Sequence, residues 1–178
     1  MQKLSSMNTS VNTSKLPAVW NKLNWDWVRN HSISNIVDYG CGKRATQNLV
    51  RNKLLDEIAV RHCYFPYDPY WGDVDAIRNA ISCLTQWKEA DLCVCASVLN
   101  VIDSVDAIKK IIKEVTQAAY WVFSIYEGNK SGEGKETKEG CWQHNKRTKE
   151  YCWIFNELEV GPYYVKGNII TNNLSLLK

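Results

Sequence analysis

Three short segments of this sequence carry residue types that could bind a small ligand, and the first is a glycine turn preceded by an acid. Asp38 stands two residues before Gly40-Cys41-Gly42, at the end of an apolar run. Glycines let a backbone turn approach a ligand, and the first N–H groups of a following helix can bind it. The dinucleotide pattern Gly-x-Gly-x-x-Gly would need glycine where Ala45 stands. Because the Asp38 carboxylate repels phosphate and attracts an ammonium, the turn favours a positively charged ligand.

The second and third segments follow later apolar runs. Asp68 comes at the end of one run, where a carboxylate can accept hydrogen bonds from both hydroxyls of a ribose. Ala96-Ser97-Val98-Leu99-Asn100 follows the next compact run. Ligands of parallel α/β sheets bind beyond the carboxyl ends of the strands. The sequence therefore predicts that the three segments line one crevice.

Three polar residues are candidates for contact with a reacting group. Asn100, Tyr126 and Glu127 follow the strands predicted over 91–96 and 120–125. Each is equally well explained as a cap or a surface residue, and both interpretations stay open at this point.

The elements that must position these residues follow from hydrophobic spacing. Short runs rich in β-branched and aromatic residues predict strands over 35–38, 61–67, 91–96 and 120–125. Apolar residues at helical spacing predict helices over 46–55, 104–118 and 141–157. Residues 73–87 are ambiguous between a helix and a short strand near 81–84. Alternating strands and helices predict one α/β domain over 1–178, with a mostly parallel sheet and helices on both faces.

The ends of the chain and one long loop complete this prediction. Residues 1–32 are a polar arm followed by a helix, whose stripe of Trp20, Leu23 and Trp27 suits core packing or a stacking platform. Residues 127–140 are rich in Gly, Lys and Glu and predict a mobile loop, placed to act as a lid. Two short runs, 163–165 and 168–171, predict a C-terminal antiparallel hairpin.

Composition excludes several classes of protein. With 178 residues, 45% hydrophobic and 23% charged, the chain is neither disordered nor fibrous. A net charge of +3 and a pI near 8.4 fall short of a dedicated nucleic-acid module. Seven cysteines without a secretion signal favour the cytoplasm, and no membrane segment is expected. Cys141 and His144 have the only ligand-like spacing, so no metal is expected.

Taken together, the motifs resemble those of class I S-adenosylmethionine-dependent methyltransferases. Asp38-Tyr39-Gly40-Cys41-Gly42-Lys43 is similar to their first motif, and Tyr67-Asp68-Pro69-Tyr70 to their second-strand acid. Asp91-Leu92-Cys93-Val94-Cys95 followed by Val98-Leu99-Asn100-Val101-Ile102 is similar to their fourth motif. The resemblance spans about 35–126. It is closest to small bacterial and phage methyltransferase-like proteins, including those found beside DNA phosphorothioation systems.

The resemblance implies a Rossmann-like class I methyltransferase fold that binds S-adenosyl-L-methionine. The residues that it implies in cofactor binding are Asp38, Tyr39, Gly40, Cys41, Gly42, Asp68, Pro69, Tyr70, Ala96, Ser97 and Val98. Lys43 and Arg44 stand where many members have another glycine. The Asp-Pro-Pro-aromatic segment of DNA amino-methyltransferases is absent, because Ser97-Val98-Leu99-Asn100 stands in its place.

The sequence leaves the methyl acceptor open between a small molecule and a nucleic acid. Lysines and arginines over 130–149 could contact a polyanion, but interspersed glutamates offset much of that charge. A protein partner could complete the acceptor site. Two alternatives remain: a phage-type lyase or hydrolase that degrades S-adenosylmethionine, and a non-catalytic subunit that only binds it.

Overall fold

A computed structural model of the chain describes residues 15–42, 44–59, 62–68, 87–128, 135–138 and 141–178. The described chain is an α/β protein built on a six-stranded mixed sheet. The strands of this sheet are β1 (Asn35–Tyr39), β2 (Cys63–Tyr67), β3 (Leu92–Ala96), β4 (Tyr120–Ser124), β7 (Tyr164–Lys166) and β8 (Ile169–Thr171). A separate two-stranded sheet consists of β5 (Lys135–Lys138) and β6 (Cys141–Gln143).

The order of strands across the large sheet is β2-β1-β3-β4-β8-β7. The first four run parallel, and their register places Asp38 opposite Pro66 on one side and Val94 on the other. The last two form a hairpin in which β8 pairs antiparallel with both β4 and β7. The carboxyl ends of four neighbouring strands therefore meet at one edge of the sheet.

Five α-helices accompany the strands in the described residues. They are α1 (Val19–Lys22), α2 (Trp25–Asn30), α3 (Arg44–Ile58), α4 (Val105–Val115) and α5 (Cys152–Glu157). Helix α4 begins at a serine cap, since the Ser104 side chain accepts a hydrogen bond from the Ala107 N–H at 3.3 Å. Its buried residues, Ile108, Ile111, Ile112 and Val115, recur at helical spacing. No described helix has the length and apolar character needed to cross a bilayer.

Helices cover both faces of the large sheet because the strand side chains alternate between two apolar clusters. Val37, Cys93 and Phe123 belong to the cluster that contains α4 and α5. Ile36, Val94 and Val122 belong to the cluster that contains the buried residues of α1, α2 and α3. The period of two along each strand assigns Asp38, like Ile36, to the α3 face.

The N-terminal helices are tied to the last described residues. Leu23 forms an antiparallel bridge with Leu177, and the Lys178 N–H donates to the Lys22 carbonyl at 2.9 Å. The Asn24 N–H donates to the Leu176 carbonyl at 2.8 Å. Trp20 and Leu23 are fully buried in the same cluster as Leu176. Residues far apart in sequence thus form one layer.

The structure confirms the α/β class, the four predicted parallel strands and the C-terminal hairpin. The predicted helix over 46–55 is also present and is longer. The stripe of Trp20, Leu23 and Trp27 is not on one helix: Trp20 lies on α1 and Trp27 on α2, and Leu23 between them is extended and bridges Leu177. The predictions for 73–87 and 81–84 fall almost entirely outside the described residues.

Two predictions in the C-terminal half were wrong. The region 127–140 is not all loop, since Lys135–Lys138 is a strand that pairs with Cys141–Gln143. The helix predicted over 141–157 is confined to α5, preceded by a 3-10 turn at Thr148–Tyr151. The start of that turn is fixed by Glu150, whose side chain accepts a hydrogen bond from the Arg147 N–H at 2.6 Å. Cys141 and His144 therefore do not share a helical face.

Candidate functional site

Asp38 is a buried carboxylate near the carboxyl end of β1. Only 3% of the residue is exposed. The Tyr64 hydroxyl from the neighbouring strand β2 donates a hydrogen bond to Asp38 Oδ2 at 2.7 Å. Burial raises the pKa of Asp38 to about 7; the Tyr64 hydrogen bond opposes this shift and the nearby charge of Asp68 adds to it. The site therefore holds a carboxylate whose charged form would be stabilised by a cation.

The glycine turn follows β1 directly and is held by the end of β2. The N–H groups of Gly40 and Cys41 both donate to the Tyr67 carbonyl, at 2.6 and 3.2 Å. Gly40 has a φ of +74°. A β-carbon there would lie 2.2 Å from Val98 Cγ2, so the turn packs closely against the segment after β3. Glycine is required at this position by both backbone conformation and space.

Gly42 has a different environment. Its φ is +62°, and a β-carbon built on it would meet no atom of the described residues within 4 Å. Its N–H donates to Asp68 Oδ2 at 3.1 Å. The turn therefore leaves open space beside Gly42, where a ligand could approach the backbone.

Asp68 is the second buried carboxylate of the site, with 3% of the residue exposed. It follows β2 and accepts the Gly42 N–H, so it joins the end of β2 to the glycine turn. Asp68 lies close enough to Asp38 for its negative charge to raise the pKa of that acid. The sequence correctly predicted that the segments at 38–42 and at 68 would meet. Pro69 and Tyr70, which the same motif includes, lie outside the described residues.

The segment after β3 forms the other wall of the site. Ser97 has a φ of +58°, a left-handed conformation that is uncommon for a residue with a side chain. Its N–H donates to the Ser124 carbonyl at 2.8 Å, which ties the segment to the end of β4. Val98 packs against Gly40, and Ala96 contributes to the cluster on the α3 face. Ser97 itself is exposed at the edge of the sheet.

Two further residues of the cofactor motif, Tyr39 and Cys41, have buried side chains. Tyr39 points to the α4 face, where its hydroxyl donates to Glu114 and its ring contacts Tyr67 edge-on. Cys41 is buried, and burial raises the pKa of its thiol well above the usual range. Both residues can therefore serve a ligand only through the backbone or by packing.

Asn100 and Tyr126, two of the candidate reacting residues, lie together. Asn100 is buried, and its Oδ1 accepts a hydrogen bond from the Tyr126 N–H at 3.5 Å. The Tyr126 side chain is half exposed. This hydrogen bond from backbone to side chain joins the segments that follow β3 and β4, and it leaves the Tyr126 ring at the surface.

Glu127, the third candidate, is engaged in a structural contact. Its carboxylate accepts hydrogen bonds from the Thr148 N–H at 2.8 Å and the Thr148 hydroxyl at 2.7 Å. Arg147 Nη1 lies 3.3 Å from the other carboxylate oxygen. These donors lower the pKa of Glu127 below its usual value. Its observed role is to secure the turn at Thr148–Tyr151.

His144 joins the site from the β5–β6 hairpin, a contact that the sequence did not predict. Its N–H donates to the Asn100 carbonyl at 2.7 Å. Its Nε2 lies 2.6 Å from the Ile102 carbonyl, which can only accept, so Nε2 carries the proton. Burial lowers the pKa of His144 below its usual value. Spacing along the chain gave no signal for this contact, because it joins residues more than forty positions apart.

The described part of the chain contains no set of metal ligands. No group of three or more His, Cys, Asp or Glu side chains there could hold a metal ion. Cys93 and Cys95 are buried in β3, and burial raises the pKa of both thiols. The site is therefore defined by two buried carboxylates, a glycine turn and backbone groups at the strand ends.

In comparisons with known proteins, no family model, curated protein or solved structure matched this chain.

Proposed function

We propose that the chain is a methyltransferase that binds S-adenosyl-L-methionine at the carboxyl edge of the sheet. The observation that carries the proposal is the pair of buried acids, Asp38 and Asp68, on either side of the glycine turn. A buried carboxylate pair disfavours phosphate and favours a cation. S-adenosylmethionine carries an ammonium, a sulfonium and no phosphate, so its charge suits this site.

The space at the turn also suits this cofactor. No described residue fills the position beside Gly42, and a side chain there would project into it. We assign the methionine end of the cofactor to Asp38 and the 40–42 turn. We assign the ribose hydroxyls to the Asp68 carboxylate, which is held against the turn by the Gly42 N–H. The 96–98 segment would contact the cofactor through its backbone.

The topology gives independent support. Four parallel strands with a C-terminal antiparallel hairpin agree with the Rossmann-like arrangement that the sequence motifs imply. The positive φ at Gly40 and its packing against Val98 bring the first and third segments into contact. These are the two segments whose motifs had to meet for the proposal to hold.

When bound, the cofactor supplies a methyl group on a sulfonium, which an acceptor takes by displacement as the carbon–sulfur bond breaks. The task of this chain is then to align the two reactants and to exclude water. Asn100 and Tyr126 stand at the strand ends on the acceptor side of the site. His144 is anchored beside Asn100 by its own backbone N–H.

The acceptor is proposed to approach from the β5–β6 hairpin. The chain leaves the sheet after β4 and returns at His144, where it is fastened to the segment after β3. In sequence, the hairpin therefore lies between Tyr126 and His144, the two residues whose N–H groups donate hydrogen bonds to Asn100. A small molecule or a nucleic acid could be recognised there, either by the hairpin alone or together with a protein partner.

Calorimetric titration with S-adenosylmethionine tests the cofactor assignment. We expect Asp68→Ala to weaken binding by about 1.5–3 kcal/mol, the range for a hydrogen bond to a charged group. Asp56→Ala, on the exposed side of α3, is the matched control and should bind normally. Equal affinity of the wild type and Asp68→Ala would contradict the assignment.

Product analysis without any acceptor separates the proposal from its rivals. A methyltransferase leaves the cofactor intact, whereas a lyase or hydrolase consumes it. Binding without methyl transfer to any fraction of a cell lysate would favour a non-catalytic subunit.

A further inference from the structure

We propose that Tyr64 is a positioning residue of this site, whose hydroxyl orients the Asp38 carboxylate and keeps it available to a cation. This inference deepens the proposed function and rests on it for the identity of the cation. Tyr64 is not part of any motif that the sequence analysis singled out. Its contact with Asp38 is made across two neighbouring strands.

The geometry of the contact follows from strand register. Ile36 pairs with Tyr64, so Asp38 lies diagonally across from Tyr64 on the neighbouring strand. Side chains two residues apart along a strand share a face, and diagonal neighbours are within reach of an aromatic side chain. The Tyr64 hydroxyl meets Asp38 Oδ2 at 2.7 Å, the distance of a normal O–H···O bond.

Tyr64 is itself held in place. Its ring packs against the apolar cluster on the α3 face. The guanidinium of Arg51, on α3, lies 5.8 Å from the ring centroid. An aromatic ring with a cation on its face and an acceptor at its hydroxyl has little freedom to turn. The phenol therefore presents a fixed donor to the acid.

A hydrogen bond to the charged form of an acid favours that form. The other described titratable groups around Asp38 give no such help: Asp68 opposes its charge, and burial keeps the neighbouring thiols protonated. Among the described residues, those that interact electrostatically with Asp38 are Cys41, Tyr64, Asp68, Cys93 and Cys95. Arg51 interacts with Tyr64, and its guanidinium lies over the Tyr64 ring. Of the neighbours that the structure describes, Tyr64 is thus the one that offsets the cost of burying the charge.

Carbon-13 NMR of aspartate carboxyls in the intact protein tests the inference without any ligand. The Asp38 signal is identified by its absence in Asp38→Asn. We expect Tyr64→Phe to shift the Asp38 titration midpoint upward by about one to two pH units, as loss of a hydrogen bond to a charged group implies. Tyr151→Phe is the matched control, because no described residue hydrogen-bonds the buried Tyr151 hydroxyl.

A second measurement connects the contact to the cofactor. The affinity for S-adenosylmethionine is measured in Tyr64→Phe and in the wild type at each pH, and the ratio of the two is taken. This ratio is independent of the titration of the ligand itself, which is the same in both measurements. We expect a loss of about tenfold near neutral pH that shrinks as pH rises, since the acid ionises in both proteins at high pH. The affinity lost in Asp38→Asn should grow as pH rises through about 7, where the wild-type acid ionises, and then level off.

The outcomes are distinguishable. An unchanged Asp38 titration in Tyr64→Phe, or an equal shift in Tyr151→Phe, would overturn the inference. A shifted titration with no cofactor binding by any of the proteins would leave Tyr64 as the residue that controls the Asp38 charge and would overturn the proposed function. A constant affinity ratio across the pH range would overturn the role of Tyr64 toward the ligand.

Discussion

Gly40 and Val98 are in such close contact that a β-carbon on Gly40 would lie 2.2 Å from Val98 Cγ2. This contact joins the turn after β1 to the segment after β3, which are separated by more than fifty residues in sequence. The two walls of the candidate site are therefore in direct contact. The shape of the site depends on a glycine whose replacement by a larger residue would displace Val98.

Gly40→Ala should destabilise the protein by about 2–4 kcal/mol, because it combines a positive φ with a steric clash. Gly161→Ala is a suitable control, since its φ is +87° and its β-carbon would meet no described atom within 4 Å. That control should cost about 1 kcal/mol. Urea unfolding measures both. A similar cost for the two variants would show that the Val98 contact yields easily.

Gly42→Ala should affect binding more than stability. The added methyl would enter open space beside the turn, so the fold should lose only about 1 kcal/mol for the positive φ. The same methyl would occupy the volume that we assign to the cofactor. We expect at least about a tenfold loss of S-adenosylmethionine affinity, equal to about 1.4 kcal/mol. Calorimetry beside Gly161→Ala checks this, and normal affinity would place the ligand elsewhere.

Asp38→Asn should remove a pH dependence of folding stability. The pKa of Asp38 in the folded protein is about 7, above its ordinary value. Between about pH 4 and about pH 7 the folded state holds a proton that the unfolded state has released, so wild-type stability falls as pH rises, by up to about 4 kcal/mol. Above that range both states are ionised and the loss is complete.

The difference in unfolding free energy between Asp38→Asn and the wild type isolates this effect, because other groups titrate equally in both. We expect the variant to gain relative stability as pH rises toward about 7 and then level off. A difference independent of pH would mean that Asp38 titrates normally. A variant that is more stable at neutral pH yet binds less cofactor would mark Asp38 as a residue kept for binding.

Glu127→Gln should destabilise the protein by about 1–2 kcal/mol at neutral pH, since the carboxylate accepts two hydrogen bonds from Thr148. The pKa of Glu127 is lowered, so its stabilising contribution is present above the ordinary glutamate pKa. That contribution is lost as pH falls through the lowered value. The wild type and the variant should therefore converge in acid, and a constant gap in urea unfolding would contradict this explanation.

Local patterns in the sequence were sufficient to predict the sheet. The run at Tyr120–Ser124 is aromatic and β-branched and forms β4, and Ser104 begins α4 as a cap. The positions of the glycines and the two acids directly after predicted parallel strands indicated that Asp38, the 40–42 turn and Asp68 would meet at one edge of the sheet. Each of these signals lies within a few residues of the feature that it predicts.

Contacts between distant residues could not be predicted in the same way. The Tyr64–Asp38 hydrogen bond depends on the register between β1 and β2, which the sequence does not specify. The helix expected over 141–157 failed because His144 is tied to Asn100 and Ile102, which holds the chain extended before Arg147. Glu127 was a candidate reacting residue because it follows the strand predicted over 120–125. Its hydrogen-bond partner, Thr148, is distant in sequence and is identified only by the structure.

The bridge between Leu23 and Leu177 sets an order for biosynthesis. Trp20 and Leu23 are among the first residues of the described chain to be made, yet their cluster includes Leu176 and Leu177. The ribosome must therefore translate nearly the whole described chain before this layer can close. Until then, the apolar cluster around Trp20 lacks Leu176 and Leu177, and the bridge from Leu23 cannot form.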